Sequence, residues 1–376
     1  MTVLSAAEAA ALAHARELAI NARGRVSPNP LVGAVILRDG RLIAEGWHEG
    51  PGLAHAEIMA LRAAGTAARG ATLVCTLEPC SHFGRTPPCA DAVIEAGLAR
   101  VVVGCLDPLE RTRGQGVRLL RDAGIDVAVA SGEDERRSRE LISAFLTHTV
   151  RGRPHVMLKL ATSLDGKVAT RTGESQWITG TQARTLVHRL RADHDAVIVG
   201  IGTALADSPQ LTARGIDGPL RQPARVVFDS AARLPLSSPL VRSAREIPVH
   251  VVVGSAAPAG RITELQAAGV DVISMPTPRP KVHDVLGVLA ERDMQSVFVE
   301  GGPELAAAFL EAGRVDVVQW FLAPMLIGGD RAPGALAGAG VARLVDAPRL
   351  RDLTVTRVGE DLACVGRVID LPRIED

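Results

Sequence analysis

The first 130 residues alternate between short apolar runs and stretches with helical periodicity. Apolar runs at 31–37, 71–77, 101–106 and 125–130 have strand length, and the segments between them at 55–64, 88–97 and 115–123 read as helices. Ahead of them, residues 5–21 carry an amphipathic pattern opened by Ser5 with Glu8 three residues on, the signature of a reciprocal capping box. This alternation predicts a layered α/β domain. A charged helix over 132–147 closes it, and Arg151-Gly152-Arg153-Pro154 marks a linker, because Gly and Pro punctuate a basic patch. The expected division is 1–147, a linker at 148–154, and a second domain over 155–376.

A second alternation starts at His155-Val-Met-Leu-Lys-Leu160. Strands are expected near 196–200, 224–229, 249–253, 296–300 and 316–322, with helices near 181–192, 260–268, 281–290 and 303–312. Gly200, Gly202, Gly254, Gly301 and Gly302 fall at strand ends. The two halves share a style without a repeated sequence, and no low-complexity tract interrupts them.

Composition narrows the classes. The 376 residues exceed one ordinary core and suggest two domains. Forty-two basic residues balance 42 acidic ones, so charge gives no case for nucleic acid or a membrane surface. Tyr is absent, and aromatic residues make up 2%, leaving few platforms for stacking single-stranded bases. Five cysteines are too sparse for a disulfide framework. Cys75, Cys105 and Cys364 lie in apolar runs and read as small core residues. Glu8, His14, Arg16 and Glu17 interrupt the Ala-rich start, so no secretory signal is read there, and no uncharged run reaches 18 residues. A cytoplasmic protein is expected.

The chemistry concentrates in His55-Ala56-Glu57, Pro79-Cys80 and Cys89. One imidazole and two thiolates suit zinc, and three protein ligands leave a fourth position for water, as in a catalytic rather than a closed structural site. Glu57, one helix residue beyond Ala56, can shuttle protons without occupying the metal, the arrangement of zinc deaminases. A closed structural clip with His82 as fourth ligand is the competing reading. The usual deaminase spacing is Cys-x-x-Cys, whereas here residues 81–88 separate the two cysteines.

The second half carries weaker signals. Ser296-Val-Phe-Val-Glu-Gly-Gly-Pro-Glu-Leu305 is a strand, two glycines and a proline able to start a helix, a junction that can present N–H groups to a cofactor phosphate. It can equally be a packing turn, and it is not the G-x-G-x-x-G fingerprint. Lys159-Leu-Ala-Thr-Ser-Leu-Asp-Gly-Lys-Val168 and Gly200-Ile-Gly-Thr-Ala-Leu-Ala-Asp207 read as pocket loops or as ordinary turns.

Leu77-Glu-Pro-Cys-Ser-His-Phe-Gly-Arg-Thr-Pro-Pro-Cys89 resembles the bifunctional deaminase–reductase family of riboflavin biosynthesis, whose Pro-Cys is followed by just such an eight-residue loop. Ser27-Pro-Asn-Pro-Leu-Val-Gly33 looks like its early motif. Ser163-Leu-Asp-Gly-Lys167, Gly173-Glu-Ser-Gln-Trp-Ile-Thr179 and Val299-Glu-Gly-Gly302 look like motifs of its reductase half. The resemblance runs from about residue 5 to about residue 370.

That resemblance implies a cytidine-deaminase-like α/β/α sandwich followed by a dihydrofolate-reductase-like α/β domain. It implies one Zn2+ held by His55, Cys80 and Cys89, with Glu57 as proton shuttle, and NADPH in the second domain. Asn29, His48, His82 and Arg85 match deaminase-substrate positions, Arg85 being suited to a phosphate. Lys159, Ser175, Arg191, Leu211, Arg214 and Glu300 match reductase-substrate positions. Ala161, Trp177, Thr179, Thr203, Asp207, Ser230 and Gly302 match cofactor positions, with Asp207 a candidate proton donor. The implied substrate is a small phosphoribosylaminopyrimidine, deaminated and then reduced at its ribosyl group, and a homodimer or higher oligomer is implied as well. The rival readings are a nucleoside, nucleobase or transfer-RNA deaminase fused to an unrelated α/β domain, and a zinc-binding scaffold whose catalysis has decayed.

Overall fold

In a computed structural model, which describes residues 4–82, 87–216 and 221–369, the chain divides into two units, Met1–Gly152 and Arg153–Asp376. In the first, α1 (Ala6–Ile20) is followed by β1 (Gly33–Arg38), β2 (Arg41–Trp47), α2 (Ala56–Ala64), β3 (Thr72–Cys75), α3 (Cys89–Glu95), β4 (Arg100–Val103), α4 (Gln115–Asp122), β5 (Asp126–Val129), α5 (Glu133–Leu141) and α6 (Ser143–Arg151). The capping box at α1 is present: the Ser5 side chain accepts from the Glu8 N–H and the Glu8 carboxylate accepts from the Ser5 N–H.

The five strands form one sheet in the order β2-β1-β3-β4-β5, antiparallel from β2 to β3 and parallel from β3 to β5. Because successive strand side chains point to opposite faces, the sheet builds two core layers. Ala34, Ile36, Leu73, Cys75, Val101, Val103 and Val127 pack with residues of α2, α3 and α4. Their neighbours Val35, Leu37, Val74, Val102 and Ala128 pack on the other side with Leu12, Ala15 and Leu18 of α1. This is an α/β/α sandwich.

The segment 148–154, expected as a linker, is helical as far as Arg151, and Gly152 ends the helix in the left-handed region (φ 62°). Arg153 belongs to the second unit. Its guanidinium grips the buried Asp316 through two bonds of 2.7 Å, and Asp316 also accepts from Val156 N–H.

The second unit contains β6 (His155–Ser163), α7 (Thr181–Asp193), β7 (Ala196–Gly200), α8 (Ile201–Asp207), β8 (Ala224–Phe228), α9 (Pro239–Arg242), β9 (Val249–Val253), α10 (Ala259–Ala267), β10 (Asp271–Ser274), α11 (Val282–Ala290), β11 (Ser296–Val299), α12 (Pro303–Glu311), β12 (Val317–Ala323), β13 (Leu350–Val358) and β14 (Asp361–Val368). Its nine-stranded sheet has the order β10-β9-β8-β7-β11-β6-β12-β14-β13. Pairing is parallel from β10 through β12, and β14 and β13 then add an antiparallel hairpin.

Again the sheet has two buried faces. Leu158, Ile198 and Val299 meet α11 and α12 on one, while Val197, Val227 and Phe298 meet α7, α8 and α10 on the other. The Gly200–Asp207 stretch is therefore not a loop: Ile201 and Ala204 bury against the sheet and hold it as α8. No helix among the described residues is long and apolar enough to cross a membrane.

Candidate active sites

His55 is the N-cap residue of α2, with extended backbone (φ −71°, ψ 161°) and no side-chain cap bond, so its ring is available to turn toward α3. The approach of α2 to the sheet depends on Gly46 of β2, where a Cβ would stand 2.6–2.8 Å from Met59, Ala60 and the Ala56 carbonyl. Cys80 lies just beyond β3, and Cys89 opens α3. The Cys89 sulfur lies 3.1 Å and the Cys80 sulfur 3.6 Å from His55 Nδ1. The Cys89 N–H donates to Cys80 Sγ at 3.2 Å, and the Ala90 N–H to the Cys80 carbonyl at 3.1 Å.

Three donor atoms within 4.8 Å of one another can hold a metal ion. Zinc bonds of about 2.0 Å to nitrogen and about 2.3 Å to sulfur, at a tetrahedral angle, place such donors about 3.6 Å apart. The donor set fits zinc, with Nδ1 as the imidazole ligand. Hydrogen bonds from Cys89 and His55 hold the Cys80 thiol well below its ordinary pKa, toward the thiolate a metal requires, while the Cys89 thiol, sharing its proton with Cys80 and buried, is pushed up.

Glu57 occupies the first turn of α2 and is 3% exposed. Burial, reinforced by the Cys80 charge, raises its carboxyl to about 7, where a group can both take and give a proton near neutral pH. His48 is buried beside this site, its ring centroid 5.3 Å from that of His55 in an edge-on arrangement. Its Nδ1 faces the Ala54 carbonyl at 3.1 Å, so this nitrogen donates, and Nε2 accepts from Asn29 Nδ2 at 2.9 Å. Burial lowers the pKa of His48, which keeps that neutral tautomer. The structure thus brings Asn29, His48, His55, Glu57, Cys80 and Cys89 together. His82 is exposed, and Arg85 lies outside the described residues.

In the second unit, Lys159 and Ala161 share one face of β6. Arg191 of α7 forms a two-pronged pair with Glu300 (Nε to Oε1 2.5 Å, Nη2 to Oε2 3.0 Å) and donates to the Thr212 carbonyl at 3.1 Å. Arg214 reaches Gln210 and Thr212 side chains, and Leu211 between them is buried with φ +56°. Desolvation lowers the Lys159 pKa; Glu300 and Asp207 oppose that shift and Arg191 adds to it, so these charges share one neighbourhood.

Gly302 caps α12, and a Cβ there would lie 3.3 Å from the Thr203 hydroxyl of α8. Ser175, Trp177 and Thr179 lie on the 173–180 segment. Two residues the sequence did not single out tie that segment in place: Gln176 donates to Asp207 at 3.3 Å, and the Arg184 guanidinium sits 4.8 Å from the Trp177 ring centre and donates to Thr179 O. Ser230 follows β8 by two residues, at the end where Phe228 pairs with Gly200 of β7; its carbonyl accepts from the Gly254 N–H, and no hydrogen bond among the described residues joins it to the others.

Comparison with known proteins divides the chain in the same way. Residues 154–364 match the family described as RibD C-terminal domain, and residues 6–105 match the cytidine and deoxycytidylate deaminase zinc-binding region. Riboflavin biosynthesis protein RibD of Bacillus amyloliquefaciens is 39% identical, over 92% of this chain and 92% of its own. The Escherichia coli protein of the same name is 41% identical over 93% and 96%. Among solved structures, Acinetobacter baumannii RibD superimposes with a TM-score of 0.86 at 37% identity, covering 97% of this chain and 99% of that one. A diaminohydroxyphosphoribosylaminopyrimidine deaminase/5-amino-6-(5-phosphoribosylamino)uracil reductase from Thermotoga maritima gives 0.82 at 36% identity, covering 96% and 99%.

Proposed function

The chain belongs to the RibD family, the bifunctional deaminase–reductases of riboflavin biosynthesis, and from that premise we propose how its residues divide the work. The family's zinc-binding deaminase region and its reductase domain point to zinc and a nicotinamide cofactor. Residues 1–147 are assigned to deamination and 155–376 to reduction. The substrate of the first step is 2,5-diamino-6-(5-phosphoribosylamino)pyrimidin-4(3H)-one, which loses its 2-amino group as ammonia. The second step reduces the ribosyl group with NADPH and gives 5-amino-6-(5-phosphoribitylamino)uracil.

In the first step, His55 Nδ1, Cys80 Sγ and Cys89 Sγ hold the metal. Zinc there supplies Lewis acidity that makes water a nucleophile near neutral pH. Glu57 takes a proton from the attacking water at a carboxylate oxygen and delivers it to the departing amine. His48 fixes the Asn29 amide, which leaves the Asn29 Oδ1 to accept from the pyrimidine. His82, in the spacer between the cysteines, is assigned to substrate binding, and Arg85, outside the described residues, is assigned to the phosphate from its residue type alone.

In the second step, the nicotinamide cofactor supplies the hydride, and the protein orients the reactants and excludes water. Lys159, Ser175, Arg191, Leu211, Arg214 and Glu300 hold the phosphorylated substrate. Ala161, Trp177, Thr179, Thr203, Ser230 and the turn at Gly302 hold the cofactor. Asp207 assists proton transfer to the sugar oxygen.

The observation that carries this reading is Glu57, a carboxyl buried in the first turn of α2 two residues from His55, beside three metal-competent donors. The test offers the diaminopyrimidine phosphoriboside to the purified chain with and without NADPH. Ammonia release is expected without the cofactor, and NADPH oxidation only after deamination. Failure to release ammonia from the zinc-loaded chain rejects the substrate assignment.

A further inference from the structure

Glu78 stands two residues before Cys80 and is 5% exposed. Its carboxylate accepts three backbone N–H groups: Oε2 from Asp107 at 3.0 Å and from Gly114 at 2.9 Å, Oε1 from Val117 at 3.1 Å. All three donors belong to the segment that leaves β4 and enters α4. Gly114 is the N-cap of α4 and Val117 lies in its first turn, so neither N–H is claimed by the helix ladder, and a negative charge is favoured at that end.

The same segment presses on the next residue, Pro79, in the stretch between β3 and Cys80. A Cβ at Gly116 would stand 2.1 Å from the Pro79 carbonyl oxygen and 3.3 Å from the Glu78 carboxylate. On its other side Cys80 is tied to the start of α3 through its carbonyl and its sulfur. Cys80 therefore sits between two backbone anchors, and Glu78 is the polar half of one of them.

We propose that Glu78 is a positioning residue for Cys80. By binding the 107–117 segment to the chain immediately before Pro79-Cys80, it fixes where the Cys80 sulfur stands relative to His55 Nδ1 and Cys89 Sγ, and so sets how firmly the site keeps its metal. This rests on reading His55, Cys80 and Cys89 as the zinc set. Charge-assisted bonds are about twice as strong as neutral ones, so three main-chain N–H groups converging on one carboxylate tie Glu78 firmly to the 107–117 segment.

The test uses the full chain with two substitutions. Glu78→Gln keeps size and one acceptor oxygen but turns an NH2 group toward at least one N–H donor. Gly116→Ala pushes on Pro79 from the opposite side without changing any charge. Two readouts are taken well below the unfolding temperature: the rate of zinc loss to excess chelator, and the thiolate-to-metal absorption after replacement by cobalt(II).

Both substitutions are expected to speed zinc loss at least tenfold and to change the cobalt spectrum, while reduction of the deaminated substrate with NADPH stays within twofold of the parent. Parent-like zinc loss and cobalt spectrum in Glu78→Gln overturn the proposal. A lowered melting temperature with both readouts unchanged also overturns it, since Glu78 is then a general stabiliser. If Glu78→Gln does not fold, Gly116→Ala decides on the same readouts. A parent chain that binds neither metal overturns the zinc reading beneath, a result distinct from parent-like variants.

Discussion

Arg191 and Glu300 meet fork to fork, at 2.5 and 3.0 Å, with their side chains 13% and 8% exposed. The pair joins α7 to the end of β11, immediately before the Gly301-Gly302 turn. Lys159 feels both charges, and Glu300 is the carboxylate that most offsets its desolvation. Glu300 itself is held below the usual carboxylate range by Arg191 and Lys159, against the effect of burial.

Replacing Glu300 by Gln therefore leaves two neighbouring cations without their anion. Breaking one partner of a buried ion pair costs about 3–5 kcal/mol. The expected result is a lower melting temperature and at least a tenfold loss of NADPH-dependent reduction, with ammonia release unchanged. Separate assays of the two half-reactions on the same preparation check this. An unchanged reductase rate would show that the pair is only structural.

Asp165 makes a different kind of link. Its carboxylate accepts from the Ser163 hydroxyl at 2.6 Å and from the N–H groups of Ile327 and Gly328 at 3.1 and 2.7 Å. These bonds, the Ser163 one first, lower its pKa to about 2. A depressed carboxylate contributes stability above its unfolded pKa of about 3.9 and loses it as pH falls toward the folded value. The link between the 163–167 turn and the 327–328 backbone should thus loosen between about pH 4 and about pH 2. Hydrogen exchange at Ile327 and Gly328 checks it: their protection relative to the intrinsic exchange rate at each pH should fall across that window in the parent, and should be low throughout in Asp165→Asn.

His48 is expected to act on substrate affinity. Its Nε2 holds Asn29 and its Nδ1 is committed to Ala54. His48→Ala removes both bonds and leaves the half-buried Asn29 amide and Ala54 carbonyl without their partner, a loss of about 1–3 kcal/mol or roughly 5- to 150-fold. The deaminase KM should rise within that range while zinc content stays at the parent value. Steady-state kinetics with metal analysis decides, and a parent-like KM contradicts the assignment of Asn29 and His48 to the pyrimidine pocket.

Much of this was legible in the sequence because it rests on side-chain type and period. The buried strands β3, β4, β7 and β11 are short apolar runs, and the metal donors are a distinctive set of residue types. What was missed lacks such marks. Strand β2 is exposed along much of its length and shows no polar–apolar alternation, and its clearest signal is the Asp39-Gly40 turn, where both residues have positive φ (53° and 73°) as a tight hairpin requires. Strand β13 is exposed at nearly every position and exists by pairing with β14 rather than by burial. The glycines of 200–207 suggested a loop, whereas tertiary burial of Ile201 and Ala204 makes a helix. Glu78 escaped notice because its partners are backbone N–H groups, which leave no trace in residue identity.

On the function proposed above, one chain deaminates first, through Glu57, and reduces second. The most direct measurement gives zinc-loaded Glu57→Gln the un-deaminated substrate together with NADPH, and follows ammonia and NADPH in the same vessel. Full zinc content, no ammonia and no NADPH oxidation are expected, with oxidation restored to the parent rate when the deaminated substrate is supplied. Oxidation of NADPH by Glu57→Gln at the parent rate on the un-deaminated substrate would contradict that order.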